Sequence, residues 1–194
     1  MDKISYALGL SIGNNFKTSG IKGLDIEDFK KGVEAVLKGS DLLLSYDEAK
    51  KVISDYFVTL QEEKGKLNKE AGKEFLRINK EKSGVVTLAS GLQYQILEEG
   101  NGPKPKATDS VKCHYQGTLI DGLEFDSSIK RGQPATFGLN QVIPGWTEAL
   151  QLMPTGSKWK LFLPSELAYG SGGAGEMIEP DSALIFEVEL LEIV

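Results

Sequence analysis

Apolar residues along this chain change their period once. Through the first 82 positions they recur every three or four residues, as on one face of a helix, and beyond that they alternate, as on strands with one buried side. Ile4, Ala7, Leu8, Ile12 and Phe16 predict a short first helix, with Gly9 and Gly13 one turn apart on another face. Asp25 is placed to cap a second helix carrying Ile26, Phe29, Val33, Val36 and Leu37, which Gly39 can end. Ser45 and Glu48 have the capping-box spacing that opens a third. No proline interrupts from Tyr46 to Lys82, and Ile53, Phe57, Leu60, Leu67, Ala71 and Ile78 hold an approximate 4-3 rhythm, so one helix of about 55 Å is expected at ~1.5 Å per residue. Gly65 and Gly72 each weaken it by about 1 kcal/mol relative to alanine, which marks them as places to bend or fray.

Alternation begins at Leu92, Tyr94 and Ile96 and returns at Val111, Cys113 and Tyr115, which puts His114 on the opposite side. Thr136 to Leu139 reads as a short strand, Trp159, Leu161 and Leu163 lie in another, and Leu184, Phe186, Val188 and Leu190 in the last. Gly145 to Met153, bounded by Pro144 and Pro154, is the one helical candidate in this half. An antiparallel sheet folded against one short helix follows, an α+β domain.

A chain of 194 residues, 40% hydrophobic, allows one large domain or a small one with an appendage. Charge favours the second: residues 1–82 carry 15 basic against 14 acidic side chains, residues 83–194 carry 7 against 14, for the overall −6. The break predicts a helical domain over 1–82 and the α+β domain over 83–194. So acidic a second half repels phosphate backbones and argues against nucleic acid as a partner. No basic, apolar run opens the sequence and no stretch approaches the ~20 apolar residues of a membrane span, so neither a signal peptide nor a spanning helix is expected. Taking Met1 as the natural start implies the cytoplasm. An exported protein of the periplasm or cell surface whose signal had been removed would read the same. Helical pieces near ~40 residues rarely bury their apolar faces alone, which calls for a second chain, and Gly9 and Gly13 would let another helix come close.

Familiar reactive constellations are missing. His114 is the single histidine and has no motif of nucleophile and orienting acid near it, while Cys113 belongs by alternation to the core and has no partner for a disulfide. One histidine and one cysteine make a poor metal-ligand set, and no cofactor is implied. Gly170 to Gly175 matches G-x-G-x-x-G in letters, but Pro180 follows too closely for the helix that would present its amides to a phosphate.

Several motifs in order carry a resemblance instead: His114 to Thr118, Phe125-Asp126-Ser127-Ser128, Val142-Ile143-Pro144-Gly145-Trp146, Leu167-Ala168-Tyr169-Gly170 and Leu184 to Leu190. Together, from about Ser90 to Val194, they resemble the FKBP family of peptidyl-prolyl cis-trans isomerases. The amino-terminal half, with Tyr6 to Gly9, resembles the bacterial macrophage infectivity potentiator-like members, in which helices of two chains interlock and a long helix carries each isomerase domain. The resemblance implies a twisted, half-rolled sheet with Trp146 at the floor of a cavity lined by Tyr115, Phe125 and Phe186. It further implies that the Ile143 amide and Tyr169 hydroxyl hold substrate carbonyls and that Asp126 forms the polar wall, with Arg131, Phe137, Val142, Met177 and Ile178 completing the binding site. Proline-containing peptides and unfolded or partly folded proteins would be substrates, and macrolides such as tacrolimus and rapamycin inhibitors. A proline-binding chaperone without turnover is the alternative. Ala135, Ala174 and Met177 depart from the family at the rim, which bears on substrate preference and macrolide affinity rather than on the inner pocket.

Overall fold

The amino-terminal helices begin where side chains can cap them. In the computed structural model, which describes residues 1–194, helix α1 (Lys3–Thr18) opens with the Asp2 carboxylate accepting from the Ser5 amide at 2.7 Å. Helix α2 (Ile26–Lys38) opens on Asp25, which accepts from the amides of Glu27 at 2.9 Å and Asp28 at 3.0 Å, and closes on Gly39 at φ 65°. Helix α3 (Tyr46–Asn79) has the full capping box: the Glu48 amide donates to Ser45 Oγ at 3.2 Å and the Ser45 amide donates to Glu48 Oε2 at 2.9 Å.

Packing divides the chain into two compact units, Met1–Leu60 and Gln61–Val194. The division falls inside α3, whereas composition placed a boundary near Ser83. Within the first unit Phe16 and Phe29 meet edge to face at 5.4 Å and the Lys22 amide donates to the Tyr56 hydroxyl at 3.0 Å. No residue of α1 or α2 is buried, and Ile4, Leu8, Val36 and Leu37 are all more than half exposed.

The second unit is an antiparallel sheet of seven strands: β1 (Val85–Thr87), β2 (Gln93–Glu98), β3 (Ser110–Leu119), β4 (Glu124–Ser127), β5 (Ala135–Gly138), β6 (Lys158–Leu163) and β7 (Leu184–Ile193). Their order is β1-β2-β6-β7-β3-β4, with β5 also on β3. Along one edge of β3, Ser110 to Cys113 pair with β5 and Gln116 to Thr118 pair with β4. Helix α4 (Pro144–Leu150) is shorter than its apolar run, and Met153 beyond it is still fully buried. The alternating residues of β3, β6 and β7 form one core with Trp146, Leu150 and Met153 of this helical region.

The second half of α3 covers other sheet residues. Phe75 lies 6.0 Å from Phe162, and Gln93 is buried with its Nε2 donating to the Leu76 carbonyl and its Oε1 accepting from Asn79, both at 2.9 Å. Gln93 and Phe162 are therefore buried although alternation turns both away from the core. Ile96 departs the other way: it is exposed, at a register shift between Ile96 and Glu98. Gly65 and Gly72 do not fray the helix. Both are buried within one uninterrupted helix, because a Cβ at Gly65 would stand 2.8 Å from Asp181 Oδ2 and one at Gly72 2.9 Å from Ala183 Cβ. What looked like weak helix is close contact, a tertiary gain that overrides propensity.

Candidate active site

Five elements and two loops deliver aromatic and aliphatic side chains to one place. Strand β3 contributes Tyr115, β4 Phe125 and Asp126, β5 Phe137, α4 Trp146 and β7 Phe186. Val142 and Ile143 precede α4, while Tyr169 and Ile178 stand on the long connection from β6 to β7. All of these line a single cavity of about 480 Å³.

Trp146 is its floor, buried and ringed edge to face by Tyr115 at 5.3 Å, Phe137 at 5.5 Å and Phe186 at 5.3 Å, with Phe125 against Phe186 at 5.6 Å. Edge-to-face pairs at these spacings hold rings more firmly than area alone. Ile143 at the N-cap of α4 offers no capping side chain, and Pro144, which has no amide to satisfy, opens the helix two residues before Trp146. Gly117 lets the walls close, since a Cβ there would lie 2.6 Å from Phe125 Cε2 and 2.8 Å from Phe186 Cε1.

One side of the cavity is polar. The Tyr115 hydroxyl donates to Asp126 Oδ2 at 2.5 Å and accepts from Arg131 Nη2 at 2.8 Å, and Arg131 also pairs with Asp126 Oδ1. Burial works to raise the Asp126 carboxyl, but hydrogen bonds from Tyr115 and Arg131 outweigh it and hold it below the usual carboxylate range. Burial, then donation to Asp126, pushes the Tyr115 phenol up. A charged carboxylate beside a neutral phenol thus persists across neutral pH.

Two donors are free to meet a ligand. The Ile143 amide donates to no other backbone group, and the Tyr169 side chain is exposed with no hydrogen bond of its own. Arg131 reaches Tyr115 and Asp126 without lining the cavity, and Met177 faces a neighbouring groove with Asn68, Asp121 and Leu123. Gln141 and Gly175, which no sequence motif assigns to the cavity, also line it, as does Ala174. Their loops carry no periodic signal that would place a side chain. Cys113 lies in the core, where burial lifts its thiol to about 12, and His114 bonds Ser128 at 3.1 Å outside the cavity. No cluster of ionisable side chains with metal-ligand geometry occurs.

An apolar box with a polar wall and no nucleophile suits rotation about a bond rather than cleavage of one. Known proteins point the same way. Residues 102–191 match the family described as FKBP-type peptidyl-prolyl cis-trans isomerase, and residues 1–96 match the domain amino terminal to it. An FKBP-type peptidyl-prolyl cis-trans isomerase, FkpA, from Aeromonas hydrophila is 50% identical over 99% of this chain and 76% of its own. The outer membrane protein MIP of Legionella longbeachae is 45% identical over 99% of this chain and 85% of its own. The crystal structure of FkpA from Escherichia coli superposes with a TM-score of 0.79 at 39% identity, covering 98% of this chain and 95% of that one. The chain belongs to the FKBP-type peptidyl-prolyl cis-trans isomerases.

Proposed function

We propose that isomerisation takes place in the aromatic cavity over Trp146, by noncovalent stabilisation of the twisted X-Pro amide. The barrier of about 18–20 kcal/mol comes from resonance that puts negative charge on the amide oxygen, and twisting the bond removes that charge separation. A site poor in water therefore favours the twisted amide over the planar one. Lowering the barrier by about 5 kcal/mol gives several thousandfold in rate, with no covalent intermediate and no proton transfer. Phe125, Phe137 and Phe186 close around the proline ring, Tyr115 and Asp126 form the polar wall, and the Ile143 amide and Tyr169 hydroxyl take substrate carbonyls. Val142 and Ile178 supply apolar rim. Arg131 acts by fixing Tyr115 and Asp126, and Met177 is reached only by longer ligands. The observation that carries this reading is the aromatic ring around a buried tryptophan open to about 480 Å³.

The substrates are proline-containing peptides and proteins still folding. Tacrolimus and rapamycin present a proline-like ring and belong in the same cavity, with Ala135, Ala174 and Met177 tuning how tightly. Saturating drug should quench Trp146 fluorescence and abolish isomerase activity together; inhibition with no change at Trp146 would move the site elsewhere.

A homodimer through the amino-terminal helices is part of the proposal. Supporting it are the exposed Ile4, Leu8, Val36 and Leu37, and the open space at Gly9 and Gly13, where an added Cβ meets nothing within 4 Å. We keep 1–82 as the region serving assembly and linkage and 83–194 as the isomerase region. No helix is long and apolar enough to cross a membrane. The cytoplasm, taken from the sequence, has no support among the relatives, one of which is named an outer membrane protein. The protein is instead an exported one of the periplasm or cell surface, and cell fractionation that recovers it only from cytosol would reverse this.

A further inference from the structure

The cavity's most irregular wall is the twenty-residue connection from Pro164 to Ala183, which carries Tyr169 and Ile178 and contains no strand. It is closed on itself: Ala174 and Ile178 exchange backbone hydrogen bonds at 2.8 and 3.1 Å, and the Asp181 amide donates to the Gly170 carbonyl at 2.8 Å. Its two ends are then gripped from outside by residues of α3. Lys64 Nζ reaches Glu179 Oε1 at 2.7 Å, and Asn68 Nδ2 donates to the Pro180 carbonyl at 3.0 Å and meets Glu179 Oε2 at 3.3 Å. Lys69 Nζ reaches Glu166 Oε1 at 3.0 Å, three residues before Tyr169. Gly65 brings the helix against Pro180 and Asp181, within the distance a side chain would need.

None of these helix residues lines the cavity. Glu179 is the immediate neighbour of Ile178, however, so the grip falls one residue from a wall of the site. A surface ion pair alone does little. Three polar side chains within two turns, seated by a glycine contact, hold a segment far better because fixing the first pays the ordering cost of the next. We propose that Lys64, Asn68 and Lys69 are positioning residues for the isomerase site, clamping the Glu166 and Glu179 ends of this connection so that Tyr169 and Ile178 are in place before a peptide enters. This rests on the cavity being where proline binds. Loss of the clamp leaves the aromatic floor intact, so it weakens capture of substrate and spares the rotation step.

The test uses the full chain. In Lys64→Ala/Asn68→Ala, KM for a short proline peptide rises at least threefold with kcat within twofold of wild type, and amide exchange at Ala174 and Ile178 quickens about tenfold. Lys64→Arg/Asn68→Gln, which keeps charge and donor, restores at least half of the lost affinity. Any other pattern, including faster exchange with wild-type KM, overturns the proposal. Asp126→Ala run alongside separates the two readings: full activity there removes the site assignment itself, whereas its loss beside a wild-type KM in the clamp variant removes only the clamp.

Discussion

Gly117 shows how one residue without a side chain can govern a site. It stands in β3 two positions from Tyr115, under the edges of Phe125 and Phe186, and both rings must move if anything larger than hydrogen is put there. Overpacking of this kind costs about 1–3 kcal/mol. Gly117→Ala should lower stability by that amount and cut kcat/KM at least tenfold, because the displaced rings are the ones proposed to enclose proline. A folded Gly117→Ala protein with wild-type kcat/KM would mean that those walls are not part of the site. At the same scale, alternation in the sequence places Cys113 in the core, and its side chain is fully buried there. Alternation does not reach Gln141 or Gly175, because nothing periodic in a loop says which way a side chain turns.

Elements were legible to the degree that their causes are local. Asp25, Gly39 and the Ser45–Glu48 box each act within four residues, and all three mark helix ends in the structure as they do in the sequence. The motif residues of the site were legible through family resemblance. What could not be read is the docking of α3, whose partners lie far along the chain: Leu76 and Asn79 on Gln93, Phe75 on Phe162, Gly72 on Ala183. Lys64 and Asn68 look like solvent-facing helix positions until Glu179 and Pro180 arrive from more than a hundred residues away. Consequently a chain that starts at Ser83 strips cover from the sheet, while one that starts at Gln61 keeps it. Phe75 and the Gln93 hydrogen bonds together predict that the shorter piece is less stable by at least ~2 kcal/mol in urea. Equal midpoints and slopes for the two pieces would show that α3 contributes nothing to the isomerase unit.

For the whole molecule, the proposed catalytic unit has a closed core of its own, whereas most apolar side chains of the amino-terminal unit are left exposed within one chain. If their cover is a second copy, full-length protein is a dimer by light scattering and the piece from Gln61 is a monomer. A short peptide touches only the cavity, so both should turn it over alike. A folding protein can be held at two points, the second at raised effective concentration, so proline-limited refolding should slow markedly more on truncation. A monomeric full-length chain, or equal losses on peptide and protein, would defeat this division. The central claim is narrower, that an apolar aromatic box with Asp126 on its wall lowers the barrier to X-Pro rotation. It is tested most directly by protease-coupled isomerisation of a proline peptide with wild type, Asp126→Ala and Phe125→Ala, each shown to be folded. The account predicts that each variant loses at least tenfold in kcat/KM, about 1.4 kcal/mol of transition-state stabilisation; wild-type rates in both would contradict it.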